Sequence, residues 1–241
     1  MEKRIMEQQR SWEKPALPPT NINEPHMALV LLLDTSGSMY GTPIDNLNNG
    51  IAEFARVVKN DPHAKSVVDI SIMTFDDEVT PRQDWTPVES FEPGRYDAGG
   101  MTNMASAIEM AIEQVDIQSR KYRALGTAPY KPWIVMITDG YSTSDDDSMR
   151  RAKELLREKV TGNFVKFIPV GVGQAYDAEL LSELGGNLFI HLEDDKFLTL
   201  FDWIGKSMRA VSQSAPGEKA ILPPLKDGVN FIVTQDPNAL M

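Results

Sequence analysis

The sequence predicts an α/β fold: a central, mostly parallel sheet with helices on both faces. Three observations carry this. Short uninterrupted apolar runs, "ALVLLL" from Ala28 and "WIVMIT" from Trp133, have the composition of strands buried on both faces. The segments between such runs place apolar residues at helical spacing, and strand alternating with helix folds into a parallel sheet covered on both sides. Both runs then stop in an aspartate followed by small polar residues, "DTSGS" and "DG", so the strand ends carry something other than core.

The elements follow in order. Residues 1–26 form an arm: a short helical stretch at 5–12 leads into the proline-rich linker "KPALPPTNINEP". The first strand is followed by a helix over 44–60, with Ile44, Leu47, Ile51, Phe54 and Val58 on one side and Pro43 in the first turn. "VVDISIMTF" is the second strand. The prolines of "EVTPRQDWTPVES" restrict that segment to an edge strand and a loop. A turn at "DAGGMTN" precedes a helix over 104–118 with Ile108, Ala111, Ile112 and Val115 inward, and "RKYRALGTAPYKP" is expected to be a basic, broken loop. After "WIVMIT", a helix over 145–159 buries Met149, Ala152, Leu155 and Leu156. "FVKFIPVGVG" and "LFIHL" are strands, and a helix over 198–211 packs through Leu198, Phe201, Ile204 and Met208. The expectation is a Rossmann-like, doubly wound sheet of about six strands, one of them an antiparallel edge strand. The domain spans 27–212, and 213–241 is an extension in which "GVNFIVT" is a candidate for an added strand.

Composition narrows the function. The 241 residues are 41% hydrophobic and 24% charged, with a formal net charge of -11. An acidic balance disfavours nucleic acid and anionic membrane as partners and suits retention of a divalent cation. Without cysteine there are no disulfides, thiolate metal sites or cysteine nucleophiles. The N-terminal segment lacks an apolar signal core, and runs such as "MALVLLL" are too short to span a bilayer, so a cytoplasmic protein is expected.

In an open parallel sheet, ligands bind beyond the carboxyl ends of the strands. Asp34, Ser36 and Ser38 follow the first strand there, Asp139 follows "WIVMIT", and Thr102 lies in "GGMTN", where the glycines permit a tight turn. Taken singly, Ser-Gly-Ser or Asp-Gly after a strand is a turn or a helix cap. Together, two carboxylates and three hydroxyls make a hard, all-oxygen ligand set suited to magnesium, manganese or calcium rather than zinc. A cation would also relieve the repulsion between the carboxylates.

"DTSGS", the threonine of "GGMTN", and "ITDG" resemble the metal-ion-dependent adhesion site (MIDAS) of von Willebrand factor A (VWA) domains. The wider wording, "LLLDTSGSMYGTPIDNLNNGI", "DISIMTFDDEV" and "YKPWIVMITDGYSTSD", is similar to bacterial tellurium-resistance TerY-like proteins. The resemblance implies that Ser36, Ser38 and Thr102 offer hydroxyl ligands and that Asp34 and Asp139 bind the ion directly or through water. It further implies that a protein partner's glutamate or aspartate completes the shell, in a tellurite-resistance or stress-response setting. Some relatives carry a cysteine-rich zinc module, whose function is not carried over to a cysteine-free sequence.

Competing readings are a magnesium-dependent phosphohydrolase and a scaffold whose metal is purely structural. A haloacid-dehalogenase-type phosphatase needs a second aspartate where Ser36 stands, and no histidine or lysine is placed as acid or base. A non-enzymatic binding module is therefore the expected function. Met39, Tyr40 and Tyr141 adjoin the ligand segments and are expected to form a partner-binding rim. Ser144 is expected to cap the helix after it, with Asp147 at its third position. Asp76 and Asp77 serve a turn. His26, His63 and His191 have no catalytic spacing, and Arg120, Lys121, Arg123 and Lys131 form a basic patch.

Overall fold

Strand β1, Met27–Asp34, is buried along its whole length, and its alternation divides the core in two. Leu29, Leu31 and Leu33 join one apolar cluster, and Ala28, Val30 and Leu32 join another on the opposite face. The structure, a computed structural model, describes residues 23–214, 220–226 and 228–233. The helix expected at 5–12 lies outside them.

The first face is covered by α1 (Thr42–Lys59), the short α2 (Pro62–Val67) and, later in the chain, a long helix at Phe197–Ser212. Phe54 and Phe201 pack with ring centroids 5.4 Å apart. At this crossing a Cβ on Gly50 would lie 2.8 Å from the Phe201 ring, so a larger residue would push the two helices apart. The other face is covered by α3 (Met104–Ala124), α4 (Asp146–Thr161) and α5 (Ala178–Leu184); the helix at Phe197–Ser212 is α6.

The remaining strands are β2 (Val68–Phe75), β3 (Val79–Pro87), β4 (Trp133–Thr138), β5 (Lys166–Val172), β6 (Leu188–Leu192) and β7 (Val229–Val233). Their order is β3-β2-β1-β4-β5-β6-β7. The doubly wound, mostly parallel fold is as expected, with differences at the margins. β3 is an edge strand, as its prolines foretell, and pairs antiparallel with β2; β7 adds a second antiparallel pair by joining β6. The described sheet therefore has seven strands rather than six. β7 lies in the expected extension, and its side of the sheet is secured by Trp203, whose Nε1 donates to the Pro223 carbonyl at 2.8 Å. The short helices α2 and α5 were not expected from the sequence.

α3 runs to Ala124, past the 118 expected, through residues read as a basic loop. The reason is Tyr122, which is fully buried. Its hydroxyl donates to Asp69 Oδ2 at 2.6 Å, and His26 Nδ1 lies 2.9 Å from the same oxygen. His26 is thus a buried structural residue. Burial, then the Asp69 charge, holds the Tyr122 hydroxyl well above its ordinary pKa range, so it remains a donor. The basic residues Arg120, Lys121, Arg123 and Lys131 face outward, with Arg120 paired to Asp116 within the helix.

Tyr122→Phe should therefore cost roughly 1–3 kcal/mol by leaving a buried carboxylate short of a donor. The urea midpoint reads this directly. A variant as stable as the parent would show that Asp69 does not depend on this hydroxyl.

Candidate functional site

β1 is flanked by β2 on one side and β4 on the other. The chain runs from β1 outward through β2 and β3, then returns to β4 and builds in the opposite direction. The crevice beyond the carboxyl ends of β1 and β4 is thus the topological switch point, where the connecting loops diverge and leave room for a ligand. Asp34 ends β1 and Asp139 follows β4.

One run of hydrogen bonds joins four of the five expected ligands. Asp34 Oδ1 accepts the Ser36 backbone N–H at 2.8 Å. Ser36 Oγ lies 3.1 Å from Ser38 Oγ, and the Ser38 hydroxyl donates to Asp139 Oδ1 at 2.6 Å. Asp34 Oδ2 accepts the Thr138 hydroxyl at 2.5 Å. The fifth, Thr102, reaches the same edge through backbone contacts. Gly99 N–H donates to the Thr35 carbonyl at 2.8 Å, and Gly37 N–H donates to the Gly100 carbonyl at 3.0 Å. Thr102 N–H then donates to Thr143 Oγ1 at 2.9 Å, and Thr143 N–H returns a bond to the Thr102 carbonyl at 2.9 Å. Gly100 makes this loop possible. Its φ is +77°, and a Cβ there would lie 2.6 Å from Asp77 Oδ2.

Both carboxylates are costly to ionise here. Burial raises the Asp34 pKa from the ordinary 3.8 to about 6; bonds from Ser36 and Thr138 pull against this, and the Asp139 charge adds to it. Burial also raises Asp139, opposed by the Ser38 hydroxyl and reinforced by Asp194. Among the described residues, no group of three or more histidine, aspartate or glutamate side chains is placed to hold a metal. A cation at this edge would therefore depend on hydroxyls as well as carboxylates.

The rim differs from expectation at one position. Tyr40 and Tyr141 are 80% and 62% exposed, but Met39 is fully buried. Met39 closes the one-turn 3-10 segment Gly37–Met39, which directs its side chain into the first core cluster. Met101, 55% exposed, stands on the same loop as Thr102 and was not anticipated. Sequence reasoning also missed Thr138 and Thr143, although both stand within a few residues of Asp139. Asp76 serves a turn as expected, its Oδ1 accepting Glu78 N–H at 3.1 Å, whereas Asp77 Oδ1 instead ties to the Thr102 loop, accepting Met101 N–H at 3.0 Å. The N-cap of α4 is Asp145 rather than Ser144, and accepts Ser148 N–H at 2.9 Å. Ser144 Oγ is used elsewhere, accepting Ala105 N–H at 3.0 Å in the first turn of α3.

Residues 28–201 match the von Willebrand factor type A domain family. The chain belongs to this family. Its members serve as protein-interaction modules. Among solved structures, similar folds include the von Willebrand factor type A protein from Catenulispora acidiphila, with TM-score 0.59, 13% identity, and coverage of 77% of this chain and 43% of that one. Proximal thread matrix protein 1 from the mussel byssus, with a zinc-occupied MIDAS motif, has TM-score 0.50 and 17% identity over 80% of this chain and 46% of that one. The manganese-loaded TRAP protein of Plasmodium vivax has TM-score 0.52 and 18% identity over 73% of this chain and 71% of that one. This VWA chain spans less than half the length of the first two, and these identities show likeness of fold alone. No curated protein matches the sequence. Among the described residues, no helix is long and apolar enough to cross a membrane.

The Asp34 shift gives a pH signature. A carboxylate with a raised folded pKa favours folding fully only below its unfolded value. Its contribution falls as pH rises from about 4 to about 6, by about 3 kcal/mol in total. In chelator, Asp34→Asn should be more stable than the parent at pH 7 by roughly 1–3 kcal/mol, and this advantage should vanish near pH 4. Chemical denaturation at the two pH values checks this. An advantage that is absent at pH 7, or that grows on acidification, would refute it.

Proposed function

We propose that this VWA domain is a cation-dependent protein-binding module of the MIDAS type. The observation that carries the reading is the hydrogen-bonded run Asp34–Ser36–Ser38–Asp139 at the switch point. Its donors are all oxygen, two of them are carboxylates held where ionisation is penalised, and its hydroxyls add ligands without adding charge. That chemistry fits a hard divalent cation held by Asp34, Ser36, Ser38, Thr102 and Asp139. Magnesium is the first choice, because it takes one or two carboxylates and keeps open positions for outside oxygens; manganese and calcium suit the same donors. A bound cation would balance the two carboxylates and accept an aspartate or glutamate from a partner protein. The zinc and manganese of the mussel and Plasmodium relatives lend support to a divalent ion on this fold.

The protein's own groups then have distinct tasks. Thr138 and the Ser36 N–H orient the Asp34 carboxylate. Ser38 ties Asp139 to the first loop, and Gly99 and Gly100 hold the Thr102 segment against it. Tyr40 and Tyr141 offer exposed apolar surface beside the centre, while Met39 supports the loop from below. On this reading the chain binds rather than catalyses, in the cytoplasm, without nucleic acid or membrane. The TerY-like wording of its strand ends favours a tellurite-resistance or stress-response role.

Two measurements test this. Magnesium or manganese should raise the Tm of the parent protein, because a ligand that binds only the folded state stabilises it by about 2.7 kcal/mol at a concentration a hundredfold above Kd. The rise should be lost in Asp34→Ala and Asp139→Ala. A pull-down from native lysate, using parent and Asp34→Ala with magnesium or chelator, should retain a partner only with the parent in magnesium. Equal retention in all four samples would remove the metal edge as the docking point. Partner capture that survives Asp139→Ala while stability falls would favour a purely structural ion, and phosphatase turnover lost in Asp34→Ala would favour an enzyme.

A further inference from the structure

Resting on the protein-binding reading, we infer that the partner presents its carboxylate on a segment otherwise cationic and apolar, with a lysine or arginine side chain seated between Asp77 and Asp145. Three independent features of the upper edge converge on this chemistry.

The first is a recess of about 380 Å³ beside the Thr102 loop. Its charged lining is Asp77 and Asp145, and the remaining lining is neutral, including Asn103, Ser106, Thr143 and Met101. Each carboxylate is fixed by a backbone bond: Asp77 Oδ1 accepts Met101 N–H from the neighbouring Thr102 loop at 3.0 Å, and Asp145 Oδ1 accepts Ser148 N–H at 2.9 Å. Neither bond neutralises its charge. Arg151, one turn along α4, directs Nη2 to Ser148 Oγ at 2.9 Å; the Ser148 bonds to Asp145, with a smaller contribution from the Arg151 charge, hold that carboxyl below the ordinary range, so it stays ionised. The recess is therefore polar, anionic and wide enough for a long cationic side chain, which forms its strongest contacts with carboxylates.

The second is the charge of the surrounding loops. The ends of β2 and β6 carry exposed Asp77, Glu78, Glu193, Asp194 and Asp195, and Asp97 is exposed on the loop that leads into Gly99. The cations nearest in sequence are engaged: Arg95 with Asp45 and Lys196 with Asp195. A cation at the site would offset Asp34 and Asp139, and Lys196 offsets Asp195, but Asp77, Glu78, Glu193, Asp194 and Asp97 keep the surface acidic. A uniformly acidic partner would be repelled before its carboxylate arrived, whereas one with basic flanks would be attracted.

The third is apolar. Tyr40, Met101 and Tyr141 are exposed around the same edge, on the loops that follow β1, precede α3 and follow β4. They suit apolar side chains on either side of the carboxylate. The recess and the metal edge share a wall, because Thr143, which lines the recess, accepts the Thr102 N–H at 2.9 Å. The basic residue must then lie within a few positions of the carboxylate.

The test uses the full chain, immobilised and panned against a random phage-displayed peptide library in magnesium, with elution by chelator. The expected peptides carry one aspartate or glutamate, a lysine or arginine a few positions away, and apolar residues between or beside them. The double variant Asp77→Asn/Asp145→Asn keeps both loop hydrogen bonds and should bind the selected peptide roughly five- to tenfold more weakly. Its magnesium-induced Tm shift should be unchanged. Chelator-eluted peptides with a carboxylate but no excess of lysine or arginine would overturn this inference and leave the protein-binding reading intact. Equal binding of the selected peptide by parent and double variant would overturn it in the same way. If chelator elutes no carboxylate peptide, the protein-binding reading itself fails and this inference falls with it.

Discussion

Asp34 terminates a strand that is otherwise wholly apolar, one residue before the last backbone bond to β2, from Thr35 N–H to the Phe75 carbonyl. A buried carboxylate in that position must find donors or a counter-charge, because an isolated ionised group in a poorly solvated setting is expensive. It finds two donors close at hand, the Ser36 N–H and the Thr138 hydroxyl. Both Asp34 and Thr138 continue the alternation that faces α3: Val30 and Leu32 on β1, and Ile134 and Met136 on β4, belong to the same core cluster. The parallel pairing of β1 with β4, which sets Leu33 beside Ile137, is therefore what aligns the two side chains. The donors lessen the cost of Asp34 without removing it, and that residual cost is why a cation suits this edge.

The two ends of the sheet treat buried aspartate differently. At the amino ends of β1 and β2, Asp69 is satisfied entirely from within, by Tyr122 and His26, and α3 is drawn out by more than a turn to deliver the tyrosine. At the carboxyl ends, Asp34 and Asp139 are tied together by serine hydroxyls that could equally turn to an incoming ion. The first edge closes its polar groups on themselves, and the proposed binding chemistry belongs to the second. This division follows from the doubly wound topology, in which the loops diverge only at the carboxyl ends of the central strands.

The acidic composition acquires a location in the structure. Carboxylates crowd the loops at the binding edge, where three large apolar side chains also emerge. On the proposed reading, an edge of this kind would discriminate among partners by repulsion as well as attraction. A negatively charged segment would gain little from meeting a cation there if its flanks had to pass exposed aspartates.

By itself the sequence determined the alternation of strands and helices, the two-sided burial of β1 and β4, and the polar residues ending them. These features depend on local periodicity and on where apolar runs stop. Prolines marked the β3 edge for the same local reason. The tertiary structure decided what depends on residues distant in the chain. Tyr122 meets Asp69 across 53 positions, which turned an apparent loop into helix. Ser144 caps no helix of its own because Ala105 reaches it first, and the capping of α4 passes to Asp145. Met39 is buried because one 3-10 turn rotates it inward, while Met101 emerges because Gly100 permits a left-handed backbone. A linear pattern shows which residues can bear oxygen or apolar surface; the packing of loops from separate strands decides which of them face the ligand.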